Sequence, residues 1–185
     1  CPGVGPLAWM QSARCPVPGM LYGIELRGNF PLQVPLPPAG AARPDHRLEL
    51  GAGETPPAGD WSAGAPVFAS AVTDPSDEPF ITLFRPPGGF LLRIPRAGDY
   101  YLEDARVTFV PAPGCDWVLA EIYLLGVVLS LWLELHGILV LHAAVVEHGG
   151  AGAAFLATNR GGKSSLAAAL LRAGARLLSD DLLAA

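Results

Sequence analysis

The sequence contains little that would support a disulfide framework or a metal centre built on cysteine. Its 185 residues include three cysteines, Cys1, Cys15 and Cys115, which form no CxxC pair and have no metal-like spacing to histidine. An odd and sparse set of this kind is not expected to form a disulfide scaffold. The cysteine content therefore favours a reducing environment, and we expect the protein to be cytoplasmic.

Charged residues are also scarce, since Asp, Glu, Lys and Arg make up 16% of the chain. The 12 basic and 17 acidic residues give a formal net charge of −5 at pH 7. This balance leaves no basic face of the kind that nucleic acid requires, so nucleic acid is excluded as an expected partner. The hydrophobic content of 51% is instead ample for a buried core.

The chain also lacks an apolar run that is long enough to predict a membrane span. The mean hydropathy of +0.36 is high for a soluble protein. However, the uncharged core of the most apolar segment, Ile122–Leu133, is bracketed by Glu121 and Glu134. It is much shorter than the roughly 20 apolar residues that a spanning helix needs. The segment therefore predicts a buried helix, running from Asp116 to about His136, and no membrane span.

Proline and glycine divide the chain into two parts of different character. Residues 1–113 are rich in both, and Val34 to Pro66 are expected to hold no long regular structure. Short strands are predicted at Leu21–Arg27, Phe80–Phe84, Phe90–Ile94, Tyr100–Leu102 and Arg106–Val110. We interpret residues 1–113 as a small, mostly β N-terminal module and residues 114–185 as a separate α/β domain.

The second part alternates signals for strands and a helix. Apolar runs at Ile138–Val146 and Gly152–Ala157 predict two buried strands separated by a glycine turn. Lys163–Ala173 predicts a helix that ends before Gly174, and Arg176–Ser179 predicts a further strand. A strand, a glycine loop, a helix and a strand in this order are typical of the opening of an α/β nucleotide-binding fold.

The glycine loop of this unit follows the pattern of a phosphate-binding P-loop. The pattern G-x-x-x-x-G-K-[ST] is satisfied from Ala157 to Ser164 except at the first position, where alanine replaces glycine. If that position needs a positive φ, alanine carries a steric cost there, and Gly161 is expected to supply the lost flexibility. Lys163 would contact the β- and γ-phosphates, while the Ser164 hydroxyl would bind Mg²⁺. The predicted nucleotide-binding residues are Thr158, Asn159, Arg160, Gly161, Gly162, Lys163, Ser164 and Ser165.

Asp180 and Asp181 directly follow the last predicted strand, and two adjacent acids at a strand end point in different directions. One can face Mg²⁺, and the other can accept a proton from an attacking hydroxyl group, as phosphoryl transfer requires. The alternatives for the two acids are a pair of solvated turn residues or a helix N-cap. The alternative for the glycine loop is a tight turn between core elements. The combination of loop and acids favours ATP and Mg²⁺ as cofactors.

His142 lies within the apolar run that precedes the loop. A lone histidine on such a strand is more often a hydrogen-bonded core residue than a catalytic one. The residues alone therefore leave both interpretations open.

Taken together, these residues resemble the C-terminal kinase domain of the HPr serine kinase/phosphorylase family, whose nucleotide core is similar to that of phosphoenolpyruvate carboxykinase. The resemblance is carried by the His-containing strand Leu141–Val146, the loop Ala157–Ser164, and the stretch Arg172–Asp181 that ends in the acidic pair. It implies an α/β P-loop core, preceded by a β-rich leader similar to that of HPr kinase-like proteins.

The resemblance also implies a role for each matching residue. Lys163 and Ser164 would hold ATP and Mg²⁺. Asp180 and Asp181 would supply the catalytic base and a metal contact, with Asp180 favoured as the base and Asp181 as the metal ligand. His142 would lie near the transferred phosphate as a third catalytic residue. The implied function is an ATP-dependent kinase that modifies a serine on a protein or peptide, and a homo-oligomer is left open.

The sequence departs from the family pattern in two places. Ala157 replaces the first loop glycine, and Thr158–Gly161 replaces the family's Ser-Gly-rich loop. No closing element is predicted after Asp181, and we expect the chain to be a fragment or a truncated form of the kinase domain. Two alternatives therefore remain, namely a non-kinase P-loop NTPase and a degenerate nucleotide-binding or structural module.

Overall fold

The computed structural model describes residues 19–38, 46–158 and 161–185 of the chain. These residues form a mixed α/β structure with two sheets and few helices. The chain divides into two compact units, the first ending at Leu124 and the second spanning Leu125–Ala185. This division falls inside a long helical segment, and the domain boundary near residue 113 that the sequence suggested stays a prediction.

Eight strands form the sheet of the first unit. They are β1 (Gly19–Leu21), β2 (Ile24–Gly28), β3 (Arg47–Ala52), β4 (Phe68–Ala69), β5 (Thr82–Phe84), β6 (Phe90–Ile94), β7 (Gly98–Leu102) and β8 (Arg106–Pro111). Their order in the sheet is β1-β2-β3-β8-β7-β6-β5-β4. Strand β3 is parallel to β2 and β8, and the other neighbouring strands are antiparallel.

The first predicted strand, Leu21–Arg27, is interrupted by a tight turn. Tyr22 and Gly23 have φ angles of 52° and 78°. Two successive residues with positive φ are typical of the two-residue turns that join antiparallel strands. The segment is therefore a hairpin of β1 and β2 rather than one strand.

Strand β3 is a central strand of the sheet, and it lies within Val34 to Pro66, where no strand was predicted and no long regular structure was expected. Its exposed and buried residues alternate, with Leu48 and Leu50 at 1% and 3% exposure. This alternation is the signal of a half-buried strand. The many proline and glycine residues around the strand obscured that signal in the sequence.

The core of the first unit includes contacts between the sheet and helix α1 (Trp117–Tyr123). Phe109 is fully buried, and the Trp117 ring packs edge-on against it with the ring centroids 5.5 Å apart. The buried Tyr100 hydroxyl donates a hydrogen bond to the Ala120 carbonyl oxygen at 2.7 Å. These contacts fix α1 to the sheet within this unit.

The sheet of this unit carries a row of ion pairs around Glu25, which is 5% exposed. The Glu25 carboxylate pairs with Arg27 at 2.6 Å and with Arg47 at 2.9 Å. A further pair, between Glu49 and Arg106 at 2.8 Å, is half-exposed on both sides. The low exposure of Glu25 distinguishes its carboxylate from that of Glu49.

Helix α1 continues through a π-helical turn (Leu124–Val128) into helix α2 (Leu129–Leu135). As predicted, the segment begins after Asp116, whose carboxylate accepts hydrogen bonds from two backbone N–H groups of the first turn. By length and composition alone, Trp117–Leu135 is apolar enough to cross a membrane, but the core helix of a soluble protein passes the same test. Of its most apolar 18-residue stretch, 39% is buried inside the protein. The expected absence of a membrane span therefore stays a prediction.

The second unit contains a four-stranded sheet and one further helix. Its elements are β9 (Val140–His148), β10 (Ala151–Leu156), helix α3 (Lys163–Arg172), β11 (Arg176–Ser179) and β12 (Leu182–Ala184). Strands β10, β11 and β12 all pair with β9 in antiparallel orientation, so β10 and β11 run in the same direction. Strand β12 contradicts the expectation that no element follows Asp181, because it extends the sheet along β9.

Helix α3 covers one face of this sheet. Ala144 and Val146 of β9 form a buried cluster with Ala167 of α3. Because side chains alternate along a strand, His142 lies on the same face of β9 as Ala144 and Val146. The fold therefore places His142 on the side of the sheet that carries α3 and the loop before it.

Candidate functional site

The loop between β10 and α3 carries the predicted phosphate-binding residues. Helix α3 begins directly after Gly162, which has a φ of 86°. Glycine adopts this left-handed conformation without the steric cost that a side chain brings. The N–H of Gly161 donates a hydrogen bond to the Thr158 carbonyl oxygen at 2.9 Å, which closes the loop. Asn159 and Arg160, also predicted to bind nucleotide, lie outside the described residues.

Gly161 packs directly against Ala157, the residue that departs from the P-loop pattern. A Cβ atom on Gly161 would lie 2.7 Å from the Ala157 Cβ and 2.8 Å from the Thr158 carbonyl oxygen. Among the described non-glycine residues, positive φ angles occur at Tyr22 and Asp77 and not at Ala157. The alanine therefore carries no left-handed strain, and the close approach of the backbone explains the glycine at position 161.

The Lys163 ammonium group is held by the loop itself. Lys163 is 8% exposed, and its Nζ donates hydrogen bonds to the carbonyl oxygens of Ala157 at 3.0 Å and Thr158 at 3.4 Å. These neutral partners satisfy hydrogen bonds without neutralising the positive charge. An anion that enters this region would therefore be attracted to the ammonium group.

The N-terminus of α3 presents backbone donors beside this lysine. The first hydrogen bond of the helix runs from the Leu166 N–H to the Gly162 carbonyl oxygen at 2.9 Å. The N–H groups of Lys163, Ser164 and Ser165 precede this bond, so they have no acceptor within the helix. Such a helix end favours an anion, both through these N–H groups and through the helix dipole.

One open cleft of about 310 Å³ brings most of the predicted site residues together. The loop and the start of α3 form one side, and β9 and the bend between β11 and β12 each contribute one residue. The described lining residues are His142, Gly161, Gly162, Lys163, Ser164, Ser165 and Asp181. Thr158 and Asp180 are not among the described residues that line the cleft, although Thr158 contacts Lys163 through its carbonyl group.

His142 is exposed at this cleft, so it is not the buried core residue that its apolar surroundings in the sequence suggested. Its Nδ1 atom lies 3.0 Å from the backbone carbonyl oxygen of Asp181. A carbonyl oxygen only accepts hydrogen bonds, so we assign the proton of the neutral ring to Nδ1. The lone pair of the neutral imidazole then lies on Nε2, which can accept a proton or a hydrogen bond.

The two aspartates occupy an exposed bend between β11 and β12. The Ser179 hydroxyl spans this bend by donating a hydrogen bond to the Leu182 carbonyl oxygen at 2.5 Å. Ser179 was not among the predicted site residues. Its signal was a hydroxyl residue directly before a short polar bend, where such side chains often bond to the nearby backbone.

The oxygen atoms that line the cleft suit a hard cation such as Mg²⁺. Ser164 and Asp181 both line the cleft, and their side chains carry a hydroxyl group and a carboxylate. Magnesium is commonly held by one or two carboxylates together with water and substrate phosphates. Among the described residues, no group of three or more His, Cys, Asp or Glu could hold a metal ion. A cation held here would therefore need further oxygen ligands besides Ser164 and Asp181, such as water or phosphate oxygens.

Comparison of the chain with protein-family models, with curated proteins and with solved structures found no match. The residues of the cleft and the chemistry that they can perform are therefore the basis for assigning a function.

Proposed function

We propose that this chain is an ATP-dependent kinase of the HPr kinase-like type, which transfers the γ-phosphate to a serine hydroxyl on a protein or peptide. The observation that carries the proposal is a single cleft lined by Lys163, Ser164, Asp181 and His142, which come from three separate parts of the second unit. A glycine turn that served packing alone would not require an ammonium, a hydroxyl, a carboxylate and an imidazole group to line the same cleft.

The loop and the start of α3 are the proposed phosphate-binding part of a P-loop core. The N–H groups of Lys163, Ser164 and Ser165 would bind phosphate oxygens at the positive end of the helix. The Lys163 ammonium would exchange its two carbonyl partners for the β- and γ-phosphates, which are charged and therefore stronger acceptors.

Ser164 and Asp181 are the proposed ligands of Mg²⁺. Both residues offer oxygen atoms to the cleft, and water and phosphate oxygens would complete the coordination. When bound, the cation would neutralise negative charge that develops on the β- and γ-phosphate oxygens.

The two remaining acid–base groups are assigned to proton transfer. The substrate hydroxyl oxygen forms a bond to the γ-phosphorus while the bond to the bridging oxygen breaks and ADP leaves. The hydroxyl proton passes to the Asp180 carboxylate, which is exposed beside Asp181 and accessible to an incoming peptide. His142 lies near the transferred phosphate in this assignment, where its Nε2 lone pair would take over the same proton from Asp180.

The fate of the γ-phosphate tests this proposal. The chain is incubated with Mg²⁺, γ-³²P-labelled ATP and a library of serine-centred peptides, and label is measured in peptide and in inorganic phosphate. We expect the parent chain to label peptide, and Asp180→Asn and Asp181→Asn to label much less. Glu134→Gln is the matched control, because it removes an exposed carboxylate on α2 of the same unit.

The alternatives give different outcomes in the same assay. Label that appears only as inorganic phosphate would identify an NTPase and would contradict the kinase proposal. A parent chain that neither transfers nor releases phosphate, and does not bind ATP, would indicate a degenerate or structural module.

A further inference from the structure

We propose that Ser179 is a positioning residue whose hydroxyl holds the bend that carries Asp180 and Asp181, and thereby fixes the tautomer of His142. The catalytic consequence of this inference rests on the proposed kinase function. The geometric part rests on hydrogen bonds alone and can be measured without nucleotide.

The bend lies between β11 and β12, and the residues on its two sides pair with β9 in the same register. Ser179 pairs with Val145 before the bend, and Leu182 pairs with His142 after it. The hydroxyl of Ser179 reaches across to the Leu182 carbonyl oxygen at 2.5 Å. The two aspartates therefore lie within a short segment whose two ends are joined by this side chain.

A β-bulge lies just before the bend, and it increases the contribution of the Ser179 hydrogen bond to holding the bend in place. The pairing of β11 with β9 shifts register between Leu177 and Ser179. A bulge locally disrupts the hydrogen bonds of a strand pair and increases its twist. Ladder hydrogen bonds alone therefore define the path of the chain at Ser179 less firmly than in a regular strand, and the hydroxyl supplies a further constraint.

One backbone carbonyl group of the bend, that of Asp181, contacts His142. The Asp181 carbonyl oxygen accepts hydrogen bonds from the Ala143 N–H at 3.3 Å and from His142 Nδ1 at 3.0 Å. The hydrogen bond that one ring nitrogen of a histidine makes determines which of the two nitrogens carries the proton. If the bend relaxes, Nδ1 loses its acceptor, and the proton is no longer held there.

The test compares Ser179→Thr, which keeps the hydroxyl, with Ser179→Ala and Ser179→Val, which remove it. Threonine and valine are nearly the same size, so this pair isolates the hydroxyl and guards against a folding defect in the alanine variant. The His142 tautomer is read from ring nitrogen NMR signals, which are assigned with His142→Gln. We expect Nδ1–H in the parent and in Ser179→Thr, and a shift towards Nε2–H in the other two variants.

Kinetics provide the second measurement. Misplacing a reacting group by about 1 Å costs roughly 100-fold in rate. We therefore expect kcat to fall roughly 10- to 100-fold in Ser179→Ala and Ser179→Val, with threonine restoring it. At saturating Mg²⁺ the KM for ATP should change little, because the phosphate-binding loop is not altered.

Failure of this inference can be distinguished from failure of the proposed function. A parent chain with His142 in the Nδ1–H form but without ATP binding would contradict the kinase proposal and leave the positioning role intact. Ser179→Ala and Ser179→Val chains that keep both the Nδ1–H tautomer and the parental rate would overturn the positioning role. A valine variant that folds like the threonine variant and shows the same tautomer would overturn it as well.

Discussion

The backbone carbonyl oxygen of Asp181 accepts a hydrogen bond from His142 Nδ1 at 3.0 Å. This bond joins the acidic bend to the strand that precedes the glycine loop. It links residues that lie far apart in the sequence and fixes both at the cleft that also contains Lys163. In the proposed mechanism, the Nε2 side of the imidazole takes part in proton transfer.

Substitution of His142 by asparagine should separate these two functions of the ring. The asparagine amide N–H can replace Nδ1–H as the donor to Asp181, but the residue has no counterpart of Nε2. Loss of a proton acceptor in the transfer step typically costs roughly 100-fold or more in rate. We expect kcat to fall by this amount with little change in ATP affinity, measured by steady-state kinetics and titration. A parental kcat in His142→Asn would exclude His142 from proton transfer.

The two aspartates should differ in their effect on the metal. Both aspartates are exposed, but Asp181 lines the cleft together with Ser164, whereas Asp180 is not among the described lining residues. We therefore expect Asp181→Asn to raise the Mg²⁺ concentration needed for half-maximal transfer by at least roughly tenfold, since mutation of even the outer partners of a metal site typically costs roughly 10- to 100-fold in metal affinity. Asp180→Asn should lower kcat with an unchanged Mg²⁺ dependence. Equal shifts of the Mg²⁺ dependence in both variants would contradict the assignment.

The contact between Ala157 and Gly161 predicts a specific pattern of loop mutations. Gly161→Ala would place a Cβ 2.7 Å from the Ala157 Cβ and 2.8 Å from the Thr158 carbonyl oxygen. Overpacking of this kind typically costs about 1–3 kcal/mol, which we expect as weaker ATP binding and a lower unfolding midpoint. Adding Ala157→Gly removes only the first clash, so the double variant should recover part of the loss. Parental binding by Gly161→Ala would show that the loop adopts another conformation.

Glu25 should make the stability of the first unit depend on acid pH. Hydrogen bonds and charge from Arg27, supported by Arg47, lower the pKa of the Glu25 carboxyl below its usual value, although burial opposes this shift. A lowered pKa in the folded state stabilises the protein above the unfolded-state pKa, and this contribution disappears as the pH falls through the folded-state pKa. The stability difference between the parent and Glu25→Gln should therefore be largest near neutral pH and shrink on acidification.

Urea unfolding from neutral pH down to about pH 3 measures this effect. Glu49→Gln is the matched control, because the Glu49–Arg106 pair is half-exposed, and exposed pairs contribute little to stability. A Glu25→Gln chain whose stability difference from the parent is independent of pH would contradict the role of this cluster.

Elements whose signals are local could be predicted from the sequence. Strands β6 (Phe90–Ile94) and β11 (Arg176–Ser179) match the prediction at both ends, and α3 begins at the predicted Lys163. The glycines at both ends of α3 and the short apolar runs of the two strands define these elements without tertiary contacts. The same local character made the glycine loop and the acidic pair visible as candidate site residues.

Elements that depend on distant partners could not be predicted in this way. Strand β3 is held between β2 and β8, and β12 exists through its pairing with β9, so both are products of tertiary context. The meeting of His142 and Asp181 has the same cause, because it requires β9 to lie between β10 and β11. Spacing along the chain carries no direct information about that order of strands.

Equilibrium titration with ATP and Mg²⁺ tests the central claim most directly, with Lys163→Ala as the probe and Arg172→Ala as the control. Both residues are cations on α3, but Lys163 lies at the cleft and Arg172 lies in the last turn of the helix. We predict that the parent and Arg172→Ala bind ATP equally, and that Lys163→Ala binds at least roughly tenfold more weakly, since a charged hydrogen bond contributes about 1.5–3 kcal/mol. No binding heat from the parent at millimolar ATP, or parental affinity in Lys163→Ala, would contradict the phosphate-binding role of this cleft.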